Sequence, residues 1–174
     1  MADAKTLAHL LKYDSIHGKL DARVSDNEEH IIINNLTIAL SNKNHPKSID
    51  WTNHKVDVVV EATGKFKTKT DLEYHIKNGA KKVILSVPPT ETDIKTIVLG
   101  VNENIITKDD HILSNASCTT NCLTPVVKVL HEKLGIIRGF MTTVHSYTGD
   151  QPTLDTMHSD LYRSRSAAMN MIPT

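Results

Sequence analysis

Hydrophobic positions change their period along the chain, and the changes mark out its elements. Leu7, Leu10 and Leu11 recur at helical spacing and predict a packed helix at the start. "DSIHGKL" follows, with a turn signal at Gly18. Two β-like runs, Ile31 to Ile33 and Leu36 to Leu40, flank Asn34-Asn35 and predict a hairpin. "VDVVVEATG" is a β-branched run ending at Gly64, a continuous apolar strand of the kind buried in parallel sheets. Leu72 and Ile76 then share a helix face, with Gly79 just past the helix end. "KKVILSVPP", "IKTIVLGVN" and "HILSNAS" read as three further strands.

From Cys118 the period changes again. Leu123, Val126, Val127, Leu130 and Leu134 fall on one stripe of an amphipathic helix. Ser117 caps its start, Gly135 ends it, and Pro125 is tolerated by lying near its N-terminal end. "IIRGFMTTVHS" reads as a strand, and the polar "YTGDQPTLDTMHSDLYRSRSAA" as a long functional loop. Strands alternating with helices predict an α/β protein with a largely parallel sheet.

Composition narrows the class. Hydrophobic residues at 39% and charged residues at 23% match a soluble globular protein. Twenty basic and twenty acidic side chains balance, so no net field recruits nucleic acid or an anionic membrane. No apolar run nears the roughly 18 residues that span a bilayer. The N-terminus lacks a basic flank and apolar core, so no secretory signal is read there. Two cysteines without such a signal predict a reducing, cytoplasmic setting. A helix begins almost at once, and "AAMNMIPT" closes no element, so the chain reads as an internal segment of something longer.

Both cysteines stand in "SNASCTTNCLTP", four residues apart. A zinc site needs about four ligands, usually from repeated C-x2-C pairs, and no second pair exists, so no metal is expected. A disulfide inside one helical turn would close too small a loop to stabilise much. Two buried cysteines acting as small hydrophobes remain possible on burial tendency alone. Position argues otherwise for Cys118, which falls in the first turn of the helix, where unpaired N–H groups and the macrodipole favour an anion. A thiol there is expected to ionise early and react as thiolate. Cys122, one turn deeper, is expected to pack. A nucleophile needs a base, and helix-then-strand order could return His145, in "TTVHSYT", to the helix start.

"SNASCTTNCLTPVVKVLHEKLGI" followed by "MTTVHSYTGDQ" closely resembles phosphorylating glyceraldehyde-3-phosphate dehydrogenase. The likeness runs on through "TLAHLLKYDSIHGKL", "VDVVVEATGKF", "GAKKVILSVP" and "RSRSAAMNMIPT". The resemblance implies a partial Rossmann-type NAD-binding domain over 1–117, lacking its first βαβ unit. It implies the start of an α+β catalytic domain with an antiparallel sheet over 118–174. It makes Cys118 the nucleophile and His145 its base. Ser117, Thr119, Thr148 and Arg163 would serve substrate and inorganic phosphate. Thr63, Gly64, Phe66 and Ser86 would line the site for NAD, with NADP left open. The implied reaction is glycolytic: glyceraldehyde 3-phosphate, NAD and inorganic phosphate give 1,3-bisphosphoglycerate by way of a cysteine thiohemiacetal and thioester. The implied assembly is a homotetramer. Two other readings stand beside it: a noncatalytic segment that binds only a nucleotide or partner, and a cysteine hydrolase that needs no nicotinamide.

The chain also departs from the family pattern. Its seven glycines, at 18, 64, 79, 100, 135, 139 and 149, allow no G-x-G-x-x-G turn. Asp3 falls slightly too late to be the acidic ribose ligand. Asn44-His45-Pro46 stands where many relatives have Arg-Asp-Pro, and Pro152 and Tyr162 stand where arginine is common.

Overall fold

The computed structural model describes residues 3–173. They divide into two compact units, one up to Lys133 and one from Leu134 on. Helix α1 (Ala4–Lys12) opens the first unit, and Asp3 caps it by accepting the Thr6 N–H at 2.7 Å. Its buried face is Ala4 and Ala8; Leu10 and Leu11 are exposed, contrary to the expected leucine stripe. Small alanines let α1 lie close against the antiparallel sheet that follows, so the leucines fall to its outer side.

Strands β1 (Tyr13–Asp14) and β2 (Gly18–Lys19) form a minimal antiparallel pair closed by the Asp14–Gly18 turn. Strands β3 (Val24–Asp26), β4 (His30–Ile33) and β5 (Leu36–Ala39) make a three-stranded antiparallel sheet. The β4–β5 hairpin turns at Asn34, whose φ of +53° belongs to the left-handed region that asparagine tolerates. Strand β3 carries too short an apolar signal to have been read from the sequence.

The parallel sheet follows. Strand β6 (Val58–Glu61) leads into α2 (Lys69–Lys77), and then come β7 (Lys82–Leu85), β8 (Lys95–Thr96) and β9 (Ile112–Ser114). The spatial order is β6-β7-β9-β8, all parallel, with Val59 opposite Val83 and Leu85 opposite Ser114. Thr68 caps α2 by accepting the Asp71 N–H, and Gly79 ends it at φ +111°. The core lies between α2 and one sheet face: Val59, Leu72, Ala80, Val83, Leu85 and Ile94 are buried together. Removing each such side chain from water contributes about 1–3 kcal/mol.

The expectation of strands buried on both faces fails. Val58, Val60 and Ile84 are exposed, because α2 covers only the face that Val59, Val83 and Leu85 share. Strand β6 is also an edge. The third strand read from "IKTIVLGVN" is only two residues long. Beyond it Asn102 turns the chain, accepting the Val98 N–H at 2.8 Å and donating to the Thr96 carbonyl at 3.0 Å.

Helix α3 (Cys118–Leu134) runs as read, and Gly135 follows it at φ +72°. Pro125 is its eighth residue, past the first turn, so Asn121 loses a helical N–H donor there. None of its residues is buried; Val126, Val129, Leu130 and Leu134 are exposed.

In the second unit the expected strand over 136–146 is not formed. No strand among the described residues of this unit offers it a ladder, and an isolated strand cannot satisfy its backbone groups. Its apolar residues Ile137, Phe140 and Val144 lie exposed. The remainder is held by side chains. Asp155 accepts from the Arg165 guanidinium at 2.6 Å and from the Ser166 N–H at 3.0 Å, and Ser166 donates its hydroxyl to the Thr153 carbonyl at 2.7 Å.

Candidate active site

Three adjacent parallel strands deliver the predicted site residues of the first unit. Strand β6 ends at Glu61 and is followed by Thr63 and Gly64; β7 ends at Leu85 and is followed by Ser86; β9 ends at Ser114 and is followed by Ser117 and Cys118. Neighbouring strands lie about 4.8 Å apart, so β6 and β9 end about 10 Å from one another. The carboxyl edge of such a sheet is where open α/β folds hold their ligands.

The turn from β9 into α3 is tightly built. Ala116 is buried with φ +60°, a conformation that costs an L-residue about 1 kcal/mol or more. Ser114 braces it: its hydroxyl donates to the Val87 carbonyl at 2.8 Å and accepts the Ala116 N–H at 3.1 Å. Ser117 accepts the Thr120 N–H at 3.0 Å, the cap read from the sequence. Asn121 donates its amide back to the Asn115 carbonyl at 2.7 Å and to Ser117 at 2.9 Å. The result sets Cys118 at the first helical position, exposed, with the helix N–H groups beneath it. Thr119 beside it is half-buried. Cys122 is exposed as well, contrary to the expectation that it packs; α3 presents that face to solvent rather than to a core.

At the other end of this edge, Gly64 has φ +70°, and no atom lies within 4 Å of where a Cβ would stand. Thr63 and Ser86 are exposed beside it, and Phe66 is half-buried with its ring 4.9 Å from that of His45, edge to face. His45 occupies the Asn-His-Pro departure, and its Nδ1 accepts the Lys47 N–H at 3.1 Å.

The second unit carries His145, Thr148 and Arg163. His145 Nδ1 lies 2.6 Å from the Ser146 carbonyl, which can only accept. The neutral ring therefore carries its proton on Nδ1 and its basic lone pair on Nε2. Thr148 sits in a turn, its N–H donating to the Gln151 side chain at 3.2 Å. Arg163 is half-buried; it donates to Asp150, and Asp160 lies 3.5 Å from its Nε. The Arg163 guanidinium in turn holds the Asp150 carboxyl below its ordinary range. An anion at Arg163 would thus compete with Asp150.

Sequence reasoning missed Ser114, Asn121 and the buried pair Glu61 and His75. Glu61 left a signal: a carboxylate at an inward position of an otherwise apolar strand demands compensating donors.

Two family models match the chain. Residues 1–69 match "Glyceraldehyde 3-phosphate dehydrogenase, NAD binding domain", and residues 117–174 match "Glyceraldehyde 3-phosphate dehydrogenase, C-terminal domain". Among curated relatives, glyceraldehyde-3-phosphate dehydrogenase of Geobacillus stearothermophilus is 54% identical over 175 residues, covering 100% of this chain and 52% of the relative. The enzyme named glyceraldehyde-3-phosphate dehydrogenase 1 of Bacillus cereus is 53% identical, with the same coverage. That of Cereibacter sphaeroides is 51% identical over 174 residues, covering 100% of this chain and 51% of its own length. The chain spans about half the length of the curated relatives it matches. NAD is the cofactor these matches carry, and the open glycine turn and exposed hydroxyls at the ends of β6 and β7 fit a dinucleotide. On two domain models and identity above one half along its whole length, the chain belongs to the glyceraldehyde-3-phosphate dehydrogenase family.

Proposed function

We propose that this chain carries the reacting cysteine and part of the cofactor site of an NAD-dependent, phosphorylating glyceraldehyde-3-phosphate dehydrogenase. The observation that supports this most is the convergence of the Thr63–Gly64 turn, Ser86 and Cys118 on one edge of one parallel sheet.

In this reading Cys118 Sγ, as thiolate, attacks the aldehyde carbon, and a C–S bond forms. The oxyanion takes back from His145 Nε2 the proton that the thiol had given it, which yields a thiohemiacetal, and the N–H groups at the start of α3 stabilise the developing charge. His145 Nε2 then removes the hydroxyl proton as the carbon gives up a hydride, leaving a thioester on Cys118. Bound NAD supplies the hydride acceptor. A phosphate oxygen attacks the thioester, the C–S bond breaks, and the thiolate returns as the acyl phosphate leaves. Ser117, Thr119 and Thr148 serve the phosphate groups as hydroxyl donors, and Arg163 as a charge. Thr63, Gly64, Phe66 and Ser86 hold the dinucleotide.

The division into a cofactor-binding part over 1–117 and the start of a catalytic part over 118–174 belongs to this proposal. So do the homotetramer and the cytoplasmic setting; no helix among the described residues is long and apolar enough to cross a membrane. A second reading, a segment that binds a nucleotide or partner without turnover, draws on the irregular course of the stretch bearing His145.

The test is to give the chain glyceraldehyde 3-phosphate, with NAD and phosphate present or withheld singly, and to follow acylation of the Cys118 peptide by mass. The proposal expects an acyl adduct that needs NAD, persists without phosphate, is cleared by it, and vanishes in Cys118→Ser. Turnover without NAD would favour a hydrolase, and no adduct under any condition would favour the noncatalytic reading.

A further inference from the structure

Among the described residues, two ionisable side chains are buried, Glu61 at 4% and His75 at 2% exposure, and the reaction uses neither. They touch each other, His75 Nε2 lying 3.2 Å from Glu61 Oε2. Taking a carboxylate out of water costs several kcal/mol unless donors replace the solvent. The donors here are identifiable.

The pair is ordered from one end by the chain's single tryptophan. Trp51 Nε1–H donates to His75 Nδ1 at 3.0 Å. An indole nitrogen can only donate, so Nδ1 must hold the lone pair and the ring proton must sit on Nε2. That proton points at Glu61 Oε2. The other carboxylate oxygen, Oε1, accepts the Thr63 backbone N–H at 2.9 Å and the Thr63 hydroxyl. The same hydroxyl oxygen accepts the Lys65 N–H at 3.2 Å, which closes the turn over Gly64. A directed relay therefore runs from Trp51 through His75 and Glu61 to Thr63, at the point where the chain leaves β6.

We propose that Glu61 is a positioning residue for the cofactor turn: its carboxylate, oriented by His75 and Trp51, fixes Thr63 and Gly64 in the conformation that receives the dinucleotide. The proposal rests on the reading that Thr63 and Gly64 line the cofactor site. An apolar residue at position 61 would face the buried side of β6 without desolvation cost, but it would leave the Thr63 N–H with no acceptor. Glutamine is the informative replacement. Its amide nitrogen would face the His75 Nε2–H, donor against donor. If His75 moved its proton to Nδ1 to accommodate it, the same conflict would appear at Trp51. If the amide turned over, it would appear at Thr63.

The experiment uses the whole chain with nitrogen-15 label, and NAD as the probe. In the unsubstituted protein, long-range proton–nitrogen spectra are expected to show His75 protonated on Nε2. NAD is expected to shift the Thr63 and Gly64 amides. Glu61→Gln is expected to displace the Thr63 amide and the Trp51 indole N–H and to weaken NAD binding about tenfold, the scale of one charge-assisted contact. Trp51→Phe removes the donor to Nδ1 but leaves Glu61 in place, so His75 is expected to keep its proton on Nε2 and NAD to weaken by a smaller factor. A His75 proton on Nδ1 in the unsubstituted protein overturns the proposal without any variant. NAD affinity in Glu61→Gln within twofold of the parent, with Thr63 unmoved, overturns the positioning role while the cofactor reading stands. If NAD leaves Thr63 and Gly64 unshifted in the unsubstituted protein, the cofactor reading of this turn fails and the positioning role falls with it.

Discussion

Gly79→Ala tests how the first unit holds the Trp51 segment against α2. At φ +111°, Gly79 lies where an L-side chain is strained, and a Cβ there would stand 2.3 Å from Thr52 Oγ1, 2.8 Å from Thr52 N and 3.1 Å from Thr52 Cα. The hydroxyl could rotate away, but the backbone atoms could not. The Trp51 N–H donates to the Asn78 carbonyl at 2.9 Å, so a shift of Thr52 strains that link. Gly100 provides the control, since it has φ +81° and a methyl group added there would meet nothing within 4 Å. Both substitutions carry about 1–2 kcal/mol of left-handed strain, offset by about 0.4–1 kcal/mol through lost freedom in the unfolded chain. Only Gly79→Ala adds a clash with packed backbone, about 1–3 kcal/mol more. With a urea slope of roughly 1–3 kcal/mol/M, that excess moves the unfolding midpoint by about 1 M. Trp51 fluorescence in urea reads this unit directly, because the chain has no other tryptophan. Equal midpoints for Gly79→Ala and Gly100→Ala would mean that Thr52 yields to the added methyl group without cost.

Three further outcomes are expected. Leu72→Ala removes three carbons from a fully buried site, about 2.4 kcal/mol of transfer free energy plus a cavity cost, so urea unfolding should show a loss of about 3–4 kcal/mol. Ser117→Ala removes the acceptor of the Thr120 N–H and should cost α3 about 1 kcal/mol, seen as faster amide exchange in its first turn; Ser117→Asp, which keeps an acceptor, should restore protection. Asp110, lowered to about 2 chiefly by its hydrogen bond from Lys95 and then by the Thr107 N–H, contributes stability above the ordinary value near 3.8. That contribution should fade as pH falls from there through about 2, so Asp110→Asn should have a lower melting temperature at neutral pH and a flatter acid limb.

Much of the first unit was legible in the sequence, for reasons that are local. The hairpin at Asn34-Asn35, the ends of α2 and α3 at Gly79 and Gly135, and the Ser117 cap all depend on residues whose backbone preferences act over a few positions. What was not legible depends on partners distant in sequence. Whether Val58 and Val60 are covered depends on what packs on that sheet face, not on their own pattern. The stretch 136–146 has a strand's composition, yet a strand exists only where another strand meets it. At the candidate site, Cys118 and the hydroxyl residues around it were read from type and spacing. Ser114 and Asn121 were not, because each acts by bonding backbone at a turn that the sequence does not display, and Glu61 showed only as a carboxylate at an inward strand position, its partners distant in sequence.

The proposed roles of Cys118, as a helix-start thiolate, and of His145, as its base, come down to one measurement: the Cys118 alkylation rate with iodoacetamide against pH, read by peptide mass, with His145→Ala alongside. A Cys118 midpoint well below the ordinary thiol value of about 8.5 is expected, with that reactivity reduced in His145→Ala. A midpoint at the ordinary value, identical in both proteins, would overturn both roles.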